Sequence, residues 1–301
     1  MNVSVQTDDI RLLREALRSR CGGVRFGSEF CEHLLPGLGA LERAYQFARE
    51  ADKGFTYVTP RLSNAGIKKL KEHLSLLNEK GEVSVVVNDF GALNVLTDYA
   101  KLHPHLGRHL FVVPARSPLA DRRAQRDDAS SEMGRWAHDL YSSTSLNYEV
   151  TIELYRSLGC QRADADWIPR VFPSLGSVVR NGFALSVHVH LVPVTFTRKC
   201  HMARFLGEKS PKTCSRPCRR RAFVLRNEAL EVLRLEPYYL HGNAVLRFVQ
   251  PSPGDLAQLM RLGVAELVLT MNPLTQIDTT EKIDDLIASL GLRSLGADSV
   301  G

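Results

Sequence analysis

The chain of 301 residues lacks a long apolar run, and it lacks the short signatures that mark the commonest enzyme classes. The longest charge-free stretch in its middle, 181–197, contains two histidines and a proline, so it falls short of the roughly 20 apolar residues that a membrane span needs. No Gly-rich dinucleotide fingerprint follows the first predicted strand, and neither G-x-S-x-G nor H-E-x-x-H occurs. These absences predict no membrane span and disfavour the common dinucleotide-binding and hydrolytic sites.

The first residues show no basic region followed by an apolar core, so they predict no secretory signal and make the cytosol the expected compartment. Thiols stay reduced there, so the six cysteines are not expected to form a disulfide framework. The composition, 44% apolar and 24% charged, is that of an ordinary globular protein. The length permits two domains or one α/β barrel.

Positive charge is concentrated in one segment. Between residues 198 and 221 there are nine basic residues and one acid, so this window carries +8 and the remainder of the chain carries 6 − 8 = −2. The window also holds three of the six cysteines. Its charges could neutralise nucleic-acid phosphates, but Phe205 is its only aromatic residue, so no stacking platform is predicted. A nucleic acid therefore stays possible only as an enzyme's substrate.

Short β-like runs alternate with helical stripes along most of the chain. Residues 83–87, for example, are apolar at every position but Ser84, which is typical of a strand buried on both faces. The last helix is expected to begin in a capping box formed by Asp278 and Glu281. Strands are predicted at 24–27, 55–59, 83–87, 109–114, 163–168, 184–195 and 266–269, with helices between them.

This alternation predicts one α/β domain spanning 1–301, a single (β/α) barrel that is either a complete TIM barrel or an incomplete, modified one. Two parts interrupt the pattern. Residues 116–145 read as a polar insertion with some helix around Trp136, and the last third is irregular, with short antiparallel strands predicted at 222–225, 229–234 and 244–248.

Three cysteines lie close together in sequence: Cys214 and Cys218 flank a turn with a proline, and Cys200 ends the strand before it. Cys31 follows the first predicted strand and is expected at the same C-terminal rim of the barrel, whereas Cys21 is expected at the opposite rim. Four thiols could hold an iron–sulfur cluster or zinc, or they could be unliganded. The chain has no C-x-x-C pair, which zinc often uses, and the basic window would stabilise an anionic cluster.

Other candidates follow predicted strands at the rim where barrel enzymes react. Arg61 and Arg116 could hold a carboxylate, and Asp89 and His190 are candidate catalytic groups. His188 and His190 alternate on one predicted strand and are expected to share a face. An ordinary structural role competes with a functional one at each position.

Several segments resemble the peptidase U32 family. Residues 185–218, with Pro193 seven residues before Cys200, resemble its cysteine stretch, and 24–31 is similar to its first strand and early cysteine. Residues 88–94 resemble its D-x-G-x-x-N turn, which makes Asn94 a candidate substrate ligand, and 265–274 resemble a late barrel strand. The similarity is to the short UbiV/UbiU-type members, which serve oxygen-independent ubiquinone biosynthesis.

The resemblance implies a 4Fe–4S cluster on a modified (β/α) barrel, held by Cys31, Cys200, Cys214 and Cys218. It implies hydroxylation without dioxygen, on a small aromatic or RNA substrate, with prephenate as the anionic oxygen donor. It also implies a second U32-like subunit in a heterodimer, or a homo-oligomer. Two other functions stay open, namely the peptidase that the family's name suggests and a zinc-stabilised interaction module that is not an enzyme.

Overall fold

The computed structural model describes residues 1–117, 131–208, 210, 213–226, 228, 232 and 236–292. Within these residues, strands and helices alternate. The strands are β1 (Asn2–Thr7), β2 (Gly23–Gly27), β3 (Gly54–Val58), β4 (Val83–Val87), β5 (Leu102–Leu106), β6 (Arg162–Asp166), β7 (Ala184–His188), β8 (Leu191–Phe196), β9 (Phe223–Leu225), β10 (Tyr238–His241), β11 (Ala244–Phe248) and β12 (Glu266–Thr270). The α-helices are α1 (Ile10–Arg18), α2 (Leu38–Glu50), α3 (Asn64–Lys80), α4 (Phe90–Leu96), α5 (Glu132–Ser142), α6 (Glu149–Ser157), α7 (Phe172–Arg180), α8 (His201–Phe205), α9 (Pro253–Arg261) and α10 (Thr280–Ser289).

Eight parallel strands close into a barrel in the order β1, β12, β7, β6, β5, β4, β3, β2. The α/β-barrel prediction is confirmed, and the barrel is closed rather than incomplete. Its first strand, β1, was not predicted, and it pairs with β12 on one side and β2 on the other.

A second, antiparallel sheet of order β8, β11, β10, β9 lies in sequence between β7 and β12. It accounts for the irregular last third of the chain. The single strand predicted at 184–195 is wrong, because β7 ends at His188 and His190 has φ +71°, which breaks the strand before β8 begins. That break sends the chain out of the barrel and into the second sheet.

Two further boundaries were predicted wrongly. The strand expected at 109–114 is irregular chain that ends in a 3-10 turn. The barrel strand is Leu102–Leu106, and its sequence LHPHL does not resemble a buried strand because it contains two histidines and a proline. The last helix is capped by Thr279, which accepts from the Lys282 amide, while Asp278 forms an ion pair with Lys282. The expected helix around Trp136 is α5, but residues 118–130 of the insertion, and most of the strand predicted at 229–234, lie outside the described residues.

The barrel strands have an apolar outer face and a polar inner face. On β2, for example, Val24 and Phe26 belong to the apolar core under the helices, whereas Arg25 reaches across the barrel to Asp164 on β6. In the described part of the chain, no helix is long and apolar enough to cross a bilayer.

Candidate functional site

Cys31, Cys200, Cys214 and Cys218 come together at the C-terminal end of the barrel. Burial raises the pKa of the Cys31 thiol to about 11, and charges on Cys200 and Cys214 act in the same direction. Burial likewise raises the pKa of Cys218 to about 12, with further contributions from the other three thiols. Cys214 also raises the pKa of Cys200, after burial. Each of the four thiols is therefore within electrostatic reach of the other three.

Backbone amides point at several of these sulfurs. The Ala203 amide donates to Cys200 Sγ at 3.3 Å, and the Arg216 amide donates to Cys214 Sγ at 3.4 Å. Cys31 receives backbone hydrogen bonds from residues 33 and 34 in the 3-10 turn that follows it. Amide donors of this kind stabilise thiolates and tune metal–sulfur centres.

The hairpin between β10 and β11 connects the cysteine-bearing segments. At its turn, Asn243 Nδ2 donates to the carbonyl oxygens of Phe30 at 2.7 Å and Thr197 at 2.6 Å. The Cys218 carbonyl lies 2.8 Å from His241 Nε2. The sequence places Phe30 next to Cys31, so one turn of the second sheet positions segments that are far apart in sequence.

Among the described residues, no group of three or more His, Cys, Asp or Glu side chains is arranged to hold a single metal ion. A tetrahedral zinc site, with Zn–S bonds near 2.3 Å, needs its sulfurs within about 4 Å of one another. No such single-ion arrangement is found among the thiols that the structure describes.

A cavity of about 940 Å³ lies beside the cysteines, and Cys31 and Cys218 line it. Five basic and six acidic side chains also line it, so the charges of the lining sum to 5 − 6 = −1. Arg219 is paired with Asp8 at 3.3 Å. Arg220 is exposed and forms no side-chain hydrogen bond or ion pair with any described residue, which makes it the cation best placed to receive an anionic ligand.

The barrel interior below the cavity contains a buried ionic cluster centred on Asp164. Arg25 Nη2 and His105 Nε2 lie 2.7 and 2.8 Å from Asp164 Oδ1, and His188 Nε2 lies 3.2 Å from Oδ2. Burial would raise the pKa of Asp164, but the charge of Arg25 and the contacts with His105 and His188 hold it well below its usual range. Burial lowers the pKa of both histidines, so they are neutral donors to the carboxylate.

A second ionic cluster contributes two side chains, Glu29 and Arg108, to the lining of the cavity. Arg108 makes two hydrogen bonds to Glu29, of 2.8 and 2.6 Å, and a third of 3.0 Å to Asp166. Arg116 Nε lies 2.6 Å from Asp166 Oδ2. Burial would raise the pKa of Glu29, but Arg108 outweighs it and lowers the pKa to about 2. These paired charges replace the branched apolar residues that usually fill a TIM barrel.

The residues predicted at the rim are not gathered around this cavity. Arg61 is exposed, and its charge contributes to lowering the pKa of His109. Arg116 is held by Asp166. Asn94 lies on the exposed side of α4, and the two oxygens of Asp89 accept from the amides of residues 92 and 62, as a helix cap does.

His190 and His188 do not share a face, contrary to prediction. The His190 ring stacks on Phe248, with 4.8 Å between centroids, and its Nδ1 lies 3.2 Å from the Val249 carbonyl oxygen. His188 instead points into the barrel toward Asp164. The left-handed conformation of His190 reverses the alternation on which the prediction depended.

The two ionic clusters were not predicted. Their sequence signal is a charged or imidazole side chain in the middle of a buried strand, as at Arg25, His105, Asp164 and His188. Such a residue needs a buried partner, but only barrel closure shows which strand supplies it.

Neither a protein-family model nor a curated protein matches the chain. Among solved structures, it is similar to orotidine 5'-monophosphate decarboxylase from Sulfolobus solfataricus, with a TM-score of 0.42 and 9% identity over 97% of this chain and 99% of that chain. It is similar to dihydropteroate synthase from Thermus thermophilus in complex with 4-aminobenzoate, with a TM-score of 0.41 and 12% identity over 96% and 93% of the two chains. Likeness at this level carries no argument about activity, and the closed barrel is read from the chain's own strand order.

Proposed function

We propose that this protein is an iron–sulfur enzyme, or one subunit of such an enzyme, that supports hydroxylation without dioxygen. Cys31, Cys200, Cys214 and Cys218 would hold a 4Fe–4S cluster at the mouth of the barrel. The observation that carries the proposal is that four thiols from two distant parts of the chain interact electrostatically, with amide donors to their sulfurs, at the edge of a large cavity.

Two features of the sequence favour a cluster over zinc. The chain has no C-x-x-C pair, which zinc sites often use. The basic residues around the cysteines would also balance the negative charge of a thiolate-bound cluster. When bound, the cluster would supply one-electron chemistry next to the cavity.

The chain's own residues would bind and orient the reactants. Arg220 would attract the carboxylate of an anionic donor, for which prephenate is the candidate. The Glu29–Arg108 pair would present a fixed polar floor, since both side chains are buried and held by each other. The Asp8–Arg219 pair would hold the cysteine segment against the end of β1.

The overall chemistry requires an electron acceptor. If the donor's hydroxyl replaces a hydrogen on the substrate, and the donor becomes aromatic with loss of carbon dioxide, two protons and two electrons are left over. Those electrons must leave through a redox partner, which is consistent with a metal–sulfur centre near the surface.

The decisive experiment is purification without air, followed by iron and sulfide analysis and by optical and EPR spectra before and after dithionite. We expect about four irons and four sulfides per chain. Serine substitution at Cys31, Cys200, Cys214 or Cys218 should remove or degrade the cluster. Cys160→Ser is the matched control, because Cys160 is buried in the apolar core.

Other outcomes identify the alternatives. A colourless protein that contains zinc and no iron would support the zinc-stabilised module and reject the iron–sulfur proposal. Peptidase activity has little structural support, since His190 and His241 contact carbonyl oxygens rather than the side chain of a serine, threonine or cysteine nucleophile.

The hydroxylase step is tested separately, by following a heavy-oxygen label from the hydroxyl of prephenate into the product under anaerobic conditions.

A further inference from the structure

Six cations surround the cysteines on the outside of the protein. We call them the basic face, and all are exposed: Arg198, Lys199, Arg204, Arg216, Arg220 and Arg221. Within the described part of the chain, none has a side-chain hydrogen bond or an ion pair. Each lies within four positions of Cys200, Cys214 or Cys218 in sequence.

The basic face also contains an exposed apolar side chain. Phe205, next to Arg204 in sequence, is 75% exposed. The Phe205 ring packs edge-on against Phe223, with 5.3 Å between centroids, so it is held in position rather than free. Apolar groups within a charged rim are typical of protein–protein interfaces.

The cavity does not explain the basic face. The charges that line the cavity nearly balance, and of the six cations only Arg220 lines it. The other five are exposed to solvent. A surface that carries clustered charge of one sign steers and binds partners of the opposite charge, so these cations point to an acidic partner outside the protein.

We propose that the basic face docks an acidic one-electron carrier protein of the ferredoxin or flavodoxin class. The docking follows from charge complementarity, whereas electron exchange rests on the proposed function. Two oxidised carriers would each take one electron in turn, which accounts for the two electrons that hydroxylation leaves over. Interfaces of such carriers are small and are steered by charge, as this one would be.

A single-stranded nucleic acid fits the basic face less well. Such ligands need several aromatic rings on which successive bases stack. The described residues of the face offer Phe205, and its neighbour Phe223 is only partly exposed. Nucleic acid is therefore the occupant that the experiment has to exclude.

The test measures binding of an oxidised, acidic plant-type ferredoxin to the anaerobically purified protein by calorimetry. We expect affinity to fall at least about tenfold when salt is raised from low to high concentration, because the contact is electrostatic. The double variant Arg204→Glu with Arg221→Glu should lose at least about tenfold in affinity. The control, Arg49→Glu, reverses an exposed charge at the end of α2 and should change affinity less than about twofold.

A cluster-free variant separates this proposal from the proposed function. Cys200→Ser should still bind ferredoxin but should not exchange electrons with it in stopped-flow mixing. If the wild-type protein has no cluster and still binds ferredoxin through these cations, docking stands and the proposed function fails. Equal affinity in the charge-reversed and control variants, or displacement of ferredoxin by a uridine oligonucleotide that binds more tightly, would overturn the docking proposal.

Discussion

At the residue scale, the unusual feature is a barrel interior built from paired charges. Asp164 is the centre of the lower cluster, with Arg25 and two neutral histidines as its partners. A buried ion pair is weak evidence for stability, but removing one member leaves an uncompensated buried charge. The side chains of Arg25 and Asp164 are 1% and 2% exposed, so water cannot solvate the charge that is left when its partner is removed.

We therefore expect Asp164→Asn to lower the free energy of unfolding by about 3–5 kcal/mol, measured by urea denaturation. The control is Asp285→Asn, on the exposed side of α10, which should change it by less than about 0.5 kcal/mol. The double variant Arg25→Met with Asp164→Leu should recover part of the loss because it removes both charges. A single variant as stable as the control would show that Arg25 does not depend on Asp164.

His109 predicts a pH dependence of stability. Its ring stacks on Phe196, with 3.6 Å between centroids, and burial lowers its pKa to about 3. The unfolded chain takes up a proton near pH 6.5, whereas the folded protein does so only near pH 3. His109 thus favours the folded state above pH 6.5, and that contribution is lost progressively as the pH falls toward 3.

His109→Phe should abolish this part of the pH dependence, while an aromatic ring still packs against Phe196 and Phe30. Between about pH 6.5 and 5 the wild-type protein should lose about 1.5 kcal/mol more stability than the variant, in urea titrations at each pH. Parallel stability curves for the two proteins would contradict a neutral, buried His109.

At the scale of elements, the hairpin of β10 and β11 holds the cysteine segments in place. Asn243 makes two side-chain hydrogen bonds, one to the residue before Cys31 and one to the end of β8. We expect Asn243→Ala to retain the barrel but to lose iron to a chelator several-fold faster than the wild-type protein, because both carbonyls are left without this donor.

Asn78→Ala is the control for that variant. Asn78 Oδ1 accepts from the Lys101 amide at 3.1 Å, on the helical layer of the barrel. The substitution removes a side-chain hydrogen bond to the backbone without touching a cysteine segment, so iron should leave at the wild-type rate. Iron loss accelerated equally in both variants would mean that general loosening, not the hairpin, controls retention.

Strands made almost entirely of apolar residues were predicted from the sequence, whereas strands that contain several polar residues were missed. The strand β4 is almost continuously apolar and was predicted at 83–87, as observed. By contrast, β1 places Ser4 and Gln6 on the inner side and β5 contains HPH, so both look like loops. The apolar run 109–114 looked like a strand, but part of it packs in the core as irregular chain.

Some features of the candidate site could likewise be inferred from the sequence, and others could not. The cysteine set could be inferred from spacing, because Cys31 follows a strand and the other three share one segment. The ionic clusters could not be inferred, since Arg25 meets Asp164 across 139 positions only when the barrel closes. The sequence shows the basic face as a window of positive charge, but only the fold shows that its side chains are exposed and that none is paired with another described residue.

At the scale of the whole molecule, the cysteines come from both the barrel and the chain of the second sheet. Cys31 belongs to the loop after β2, while Cys200, Cys214 and Cys218 belong to the segment between β8 and β9. Arg108 also connects the barrel to the second sheet, because its Nη1 donates to the carbonyl oxygen of Leu191 on β8 at 2.6 Å. A cluster bound by all four thiols would thus cross-link two parts of the fold.

This arrangement predicts that the loaded protein melts at a higher temperature than the same protein after anaerobic removal of iron, by at least about 5 °C, because the ligand binds only the folded arrangement. The melting temperature is measured by circular dichroism in sealed cells. Cys160→Ser should keep the difference and Cys214→Ser should lose it, although both remove one thiol. If loaded and iron-free proteins melt together while the iron content is about four per chain, the iron is not bridging the barrel and the second sheet, and the ligand set must be different.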